Sequence, residues 1–257
     1  MSKVFPRQLL DIGQELVEQP RLAMEKPTVS MNKSLRVNSR DKAMLVRAPF
    51  LADLNGEALI KMLNAASISS VPARHIVFRE GMPADHFYCV LSGYVRLYRL
   101  NREGREADIR ICGPGDTFAE CLIYGDEIYR FHAQAAEHAT LARFDIRVVR
   151  QLAEQEPEIA RAIISCLSRH LLTTMDCVAN DRLHTAPQRV AEYLMKACPV
   201  DGGPASVRLP FQKNLLAGML GLAPEALSRA FSSLRRAGVT VRGRIIQIGD
   251  VKALRDV

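Results

Sequence analysis

Between Phe211 and Gly238 the sequence leaves little freedom of fold. Leu215, Leu216, Met219 and Leu220 give an apolar stripe at helical spacing, Gly221-Leu222-Ala223 allows a sharp turn, and Pro224 suits a first helical position. On the wheel of the second helix, Glu225, Ser228, Arg229, Ser232 and Arg236 fall on one side, and Leu227, Ala230, Phe231 and Leu234 fall opposite. Such a helix buries its apolar face in its own domain and presents hydroxyls, a carboxylate and guanidiniums outward. Gly238 stops it, and Val239-Thr240-Val241, a turn at Arg242-Gly243-Arg244 and Ile245 to Ile248 predict a basic hairpin. A plain helical hairpin closed by a Glu225 to Arg229 ion pair, worth about 0.3 to 0.5 kcal/mol, explains neither the polar face nor the basic hairpin. Helix, turn, helix and wing in that order predict a unit that touches DNA.

The charge agrees. Of the formal net charge of +7, residues 181 to 257 carry almost all, with 12 Lys and Arg against 6 Asp and Glu, while residues 1 to 180 are nearly balanced. A basic surface attracts phosphate without regard to sequence and speeds encounter. The length of 257 residues and 48% hydrophobic content fit two modest domains of an ordinary soluble protein. No run of about 18 apolar residues is present and the N-terminus lacks a signal-peptide pattern, so a cytoplasmic protein with no membrane partner is expected. Cys89, Cys112, Cys121, Cys166, Cys177 and Cys198 are scattered singly, which argues against zinc and against a disulfide framework and for small apolar core residues.

Taken in order, residues 1–41 mix Pro, Lys, Arg and Ser and read as an N-terminal arm. A short helix from Asp53 to Ala66 is followed by brief apolar runs: Ser67–Val71, His75–Phe78, Phe87–Leu91, Tyr94–Leu100, Ala107–Cys112, Phe131–Ala135 and Ala139–Phe144. Turn residues such as Glu80-Gly81, Ser92-Gly93 and Gly113-Pro114-Gly115-Asp116 separate most of them, so residues 42–156 predict an antiparallel β-roll of jelly-roll type, an architecture that commonly encloses a small-molecule cavity. From Glu158 to about Asn180 the period turns helical, with Ile159, Ile163, Cys166, Leu167, His170, Leu171, Thr174, Met175 and Val178 on one stripe. This long helix, residues 157–182, is expected to pair with a second copy, because helix-turn-helix proteins use two-fold symmetry to read two half-sites. Thr185 then opens the last domain, residues 183–257, with Ala186–Ala197 as its first helix. The fold class is α+β.

Roll, long helix and winged helix-turn-helix resemble the Crp/Fnr superfamily of bacterial transcription regulators over residues 42–257. Phe78-Arg79-Glu80-Gly81 with Phe87 to Gly93 resembles its first hairpins, Gly113 to Glu120 its effector cassette, and Pro224-Glu225-Ala226-Leu227-Ser228-Arg229 its recognition helix, with the Glu, Ser and Arg spacing of the Fnr subgroup. The resemblance implies TTGAT half-sites in a palindromic operator, and RNA polymerase as a further partner. The chemistry suits it: Arg229 can hold guanine bidentately, Glu225 can accept from a cytosine amino group and brace Arg229, and Ser228 can serve a thymine region. Lys213, Arg235, Arg236, Arg242 and Arg244 are candidates for phosphate.

For the sensor, the resemblance implies Glu120, Arg130 and Thr174 as the effector pocket of a cyclic-nucleotide type, although Ala119 and Phe131 depart from that pattern. Phe118-Ala119-Glu120, Leu215 to Gly218 and Gly243-Arg244 look closest to the nitric-oxide-responsive regulators of nitrate and nitrite respiration. That likeness implies a haem between roll and long helix, with His132 and His170 as the ligand candidates. No iron–sulfur cluster is expected, because no cysteine precedes Cys89. Three functions remain open: a regulator gated by an effector, a regulator of the same fold that needs none, and, from another class, an enzyme using Glu120 and a histidine in the roll cavity. The chain has no nucleophile motif, metal constellation or P-loop to support the last.

Overall fold

The computed structural model describes residues 39–257, and the expected N-terminal arm, up to residue 38, lies outside them. Two short helices, α1 (Ser39–Val46) and α2 (Gly56–Asn64), lead into eight strands: β1 (Ala66–Val71), β2 (Ile76–Phe78), β3 (His86–Ser92), β4 (Val95–Leu100), β5 (Glu106–Cys112), β6 (Thr117–Phe118), β7 (His132–Ala135) and β8 (Ala139–Asp145). They form two four-stranded antiparallel sheets, β1-β8-β3-β6 and β2-β7-β4-β5. Their buried faces meet on Phe78, Tyr88 and Phe118, whereas Phe87 and Phe144, on the other face of the first sheet, stack on each other under Phe50 from the α1–α2 connection, whose ring centre lies 5.4 Å from that of Phe87.

The structure adds elements that apolar runs do not reveal. Helix α3 (Ile146–Gln155) begins with no loop after β8, because the Asp145 side chain accepts from the amides of Arg147 (2.8 Å) and Val148 (3.2 Å) and caps it. Helix α4 (Pro157–Leu183) follows and runs about 40 Å at 1.5 Å per residue. The single seam expected along it is divided. Ile159, Ala162, Ile163 and Cys166 are buried against the roll, whereas Leu171, Leu172 and Met175, together with Ile164, each expose at least 60%. The apolar stripe therefore serves two surfaces, one covered by this chain and one not.

Helix α5 (Ala186–Ala197) starts where the Thr185 amide donates to Gln188 Oε1 (2.9 Å). Strand β9 (Ala205–Arg208), four residues long and directly after the Gly202-Gly203-Pro204 turn, joins β10 (Val239–Arg242) and β11 (Ile245–Ile248) in a sheet ordered β10-β11-β9, so the wing is three-stranded. Between them lie α6 (Lys213–Met219) and α7 (Pro224–Leu234). Gly221 makes the tight turn between these helices at φ +61, a left-handed conformation natural to glycine.

The helix-turn-helix packs on the roll. Ile111 of β5 is buried in one cluster with Leu194, Leu215, Leu216 and Phe231, and the Tyr94 and Phe211 rings meet edge to face at 5.0 Å. Helix α6 comes so near β5 that a Cβ on Gly218 would lie 2.6 Å from Asp108 Oδ2 and 3.1 Å from Ile111 Cδ1. Glycine at 218 is what permits this approach.

Candidate DNA interface and sensor site

Helix α7 is held by Leu227, Ala230, Phe231 and Leu234, all buried, against α5 and β10. Glu225, Ser228, Arg229 and Ser232 are exposed, as are Arg235 and Arg236 in the 3-10 turn that extends the helix. Among the described residues neither Glu225 nor Arg229 has an ion-pair partner, so the bracing of Arg229 by Glu225 expected from the wheel is not formed in the free protein. Their helix-turn spacing would bring them together only at the cost of side-chain entropy in water, where such a pair gains little. Ser232 donates to the Ser228 carbonyl (3.0 Å), and the exposed Ser228 hydroxyl makes no hydrogen bond among the described residues.

Of the phosphate candidates, Lys213 sits at the start of α6 with Nζ 5.7 Å from the Phe231 ring centre, which anchors it beside α7. Arg242 and Arg244 flank Gly243 at the wing turn, and Arg244 donates to the Pro210 carbonyl at 3.5 Å. None of these five cations pairs with a carboxylate among the described residues. A row of uncompensated, exposed positive groups beside an exposed polar helix face is suited to a polyanion.

The sensor residues are placed differently from the expected pocket. Ala119 takes φ +65, a left-handed conformation that costs a residue with a Cβ about 1 to 2 kcal/mol, and starts the 3-10 turn Glu120–Ile123. Glu120 is only 5% exposed and accepts at Oε1 from His170 Nδ1 at 2.5 Å. His170 Nε2 lies 3.3 Å from Arg110 Nη2. Arginine can only donate, so His170 carries its proton on Nδ1 and accepts at Nε2. Arg110 also donates to the Thr117 carbonyl (3.2 Å) and lies 3.4 Å from Asp116, and the Thr117 hydroxyl lies 3.3 Å from Cys166 Sγ on α4. This polar cluster joins β5, the cassette turn and the long helix. Among the described residues Glu120 Oε2 has no hydrogen-bond partner, an unusual state for a buried oxygen.

Arg130 and Thr174 do not join it. Arg130 is 60% exposed and pairs with Asp126 (2.7 Å), and Thr174 is exposed and donates to the His170 carbonyl (2.8 Å) of its own helix. The cation beside Glu120 is Arg110. Its signal in the sequence was parity with Cys112, which shares its inward face, although the irregularity of the β4–β5 pairing turns Asp108 to the opposite face, toward Arg96 and Gly218. The haem candidates are likewise engaged. His132 stacks on Tyr98 at 5.0 Å and accepts at Nδ1 from the Glu80 amide (3.4 Å), while both nitrogens of His170 are occupied. With a guanidinium in front of His170 Nε2, this arrangement does not fit an iron there. The buried cysteines behave as apolar occupants, with burial pushing the Cys89 and Cys112 thiols up to about 12.

A β-roll joined by a long helix to a winged helix-turn-helix defines a class of regulator with an effector-binding-type domain and a DNA-binding domain. Residues 68–156 match the cyclic nucleotide-binding domain family, and residues 188–257 match the Crp-like helix-turn-helix domain family. The chain is 30% identical over 189 residues to the nitrogen fixation regulation protein FixK of Rhizobium meliloti, covering 72% of this chain and 84% of that protein. It is 26% identical over 216 residues to the CRP-like cAMP-activated global transcriptional regulator of Mycobacterium tuberculosis, covering 82% and 96%. The structure of FixK2 from Bradyrhizobium japonicum superposes with a TM-score of 0.62 at 26% identity, over 74% of this chain and 96% of that one. The chain belongs to the Crp/Fnr family of transcription regulators. These relatives are regulators and not enzymes, which disposes of the catalytic alternative. No helix among the described residues is long and apolar enough to cross a membrane.

Proposed function

We propose that this chain acts in the cytoplasm as a homodimer that reads a TTGAT-like palindrome. The sensor roll spans residues 42–156, the dimer helix 157–182 and the reading domain 183–257. Arg229, Glu225 and Ser228 contact bases, Lys213, Arg235, Arg236, Arg242 and Arg244 contact phosphates, and RNA polymerase is the further protein partner. The observation that carries this reading is α7, a helix fixed by four buried side chains whose opposite face is polar, exposed and unpaired. Ile164, Leu171, Leu172 and Met175, exposed on α4, supply the apolar surface that a second copy covers.

An effector acts by shifting the population of the DNA-competent arrangement, and the place for it to act is the Glu120, Arg110 and His170 cluster, which ties the cassette to α4. Nitric oxide, through a haem, is the effector suggested by the subgroup likeness, and a haem requires His170 to leave Arg110. The second reading, a regulator that needs no effector, is favoured by one observation: His170 already occupies the Glu120 carboxylate as a ligand would.

Two measurements test the proposal. Sedimentation equilibrium should give a dimer that Leu171→Asp dissociates, and fluorescence anisotropy should show tighter binding to the palindrome than to one half-site. A monomeric wild type, or equal affinity for the two duplexes, contradicts it.

A further inference from the structure

The wing sheet has a solvent face that the turn residues alone do not describe. Its register sets Arg242 opposite Ile245 and Ile245 opposite Arg208, in one row across three strands. The next row on the same face is Thr240, Gln247 and Ser206. All six are exposed, and the alternate rows are turned inward, with Val207, Val239, Ile246 and Ile248 buried. The outward face therefore carries two arginines, two hydroxyls and an amide around Ile245, and no carboxylate.

Neither Arg208 nor Arg242 has an ion-pair or hydrogen-bond partner for its guanidinium among the described residues. With strands about 4.8 Å apart, the two stand roughly 10 Å from each other, the rise of about three phosphates at 3.4 Å per charge on one strand. The row lies at the turn end of the sheet, because the Leu209 amide donates to the Arg244 carbonyl (2.8 Å) immediately beyond it. The face is thus continuous with the wing turn that carries Arg242 and Arg244.

We propose that this face is a second phosphate-binding surface, in which Arg208 and Arg242 hold the DNA backbone flanking the half-site that α7 reads, without regard to sequence. It rests on the DNA-reading assignment of α7. Duplex DNA is favoured over an acidic protein because the charges continue from the wing turn, and because Ser206, Thr240 and Gln247 can donate to phosphate oxygens while Ile245 packs on sugar.

The test compares the full-length wild type with Arg208→Gln and Arg208→Lys on two duplexes that share one TTGAT-type palindrome, one ending at the palindrome and one extended by about one turn of DNA, roughly 10 base pairs, on each side. Affinity is measured by anisotropy across a salt series. Arg208→Gln is expected to lose affinity several-fold on the long duplex and to lower its salt slope by about 1.8, the two phosphates lost by a dimer at about 0.9 each, while matching wild type on the short duplex. Arg208→Lys should restore both, since a phosphate contact needs the charge more than the fork. If Arg208→Gln matches wild type in affinity and slope on both duplexes, the flanking-phosphate role is overturned, and an acidic protein becomes the occupant to seek. If wild type binds neither duplex, the reading of α7 falls first and takes this one with it.

Discussion

His170 on the long helix donates through Nδ1 to Glu120 on the cassette turn at 2.5 Å, and this bond fixes the tautomer that lets Nε2 face Arg110. With the Thr117–Cys166 contact, the pair connects the roll's cassette to the helix that leads to the DNA-binding domain. Replacing His170 with Leu strips the last partner from a buried carboxylate that already has one unpaired oxygen. Such a loss costs about 1 to 3 kcal/mol. The urea midpoint of His170→Leu, followed by circular dichroism, should fall accordingly, and the double variant Glu120→Leu/His170→Leu should recover part of the loss. Equal midpoints for wild type and His170→Leu would mean that the bond contributes nothing.

Gly218 is the point of closest approach between α6 and β5. In an ordinary helix Gly→Ala stabilises by about 1 kcal/mol. Here the added Cβ meets Asp108 Oδ2 at 2.6 Å, and that carboxylate cannot swing freely because Arg96 holds it at 2.6 and 2.8 Å. Gly218→Ala should therefore destabilise wild type by about 1 to 3 kcal/mol, the usual cost of overpacking. In an Asp108→Ala background the same change should be neutral or stabilising. Thermal unfolding of the four proteins of this cycle decides it, and a stabilised Gly218→Ala single variant contradicts the docked arrangement.

His86 supplies a dependence on pH. Burial, followed by the nearby Arg143 guanidinium, holds its imidazole below the ordinary value of about 6.5 in the folded protein. The unfolded chain thus takes up the proton first as pH falls, and stability contributed at neutral pH is lost on going below about 6.5. The urea midpoint should drop between pH 7.5 and pH 5.5, and His86→Gln should drop less. A variant whose midpoint falls as steeply as wild type assigns the effect elsewhere.

The reading end was legible in the sequence because its elements are periodic and punctuated. The wheel of Pro224 to Leu234 separates buried Leu227, Ala230, Phe231 and Leu234 from exposed Glu225, Ser228 and Arg229, and Gly221 and Pro224 mark the turn. Where punctuation was missing or the element was very short, elements were missed: Asp145 both ends β8 and caps α3, β6 has two residues, and β9 has four. The sensor was harder for a different reason. Glu120 meets His170 across 50 positions and Arg110 meets His170 across 60, so spacing along the chain could not bring Arg110 in place of Arg130. The divided stripe of α4 has the same cause, since a helical period records that a face is apolar and not which neighbour covers it.

The central claim is that α7 reads bases and that Arg229 reads guanine. The most direct measurement is the affinity of wild type and Arg229→Ala for a TTGAT palindrome and for the same duplex with each guanine of the half-sites replaced by adenine. Wild type should prefer the guanine duplex by about 1 to 3 kcal/mol for each half-site, and Arg229→Ala should bind both duplexes more weakly and nearly equally. An Arg229→Ala protein that keeps the full preference for guanine would contradict the account.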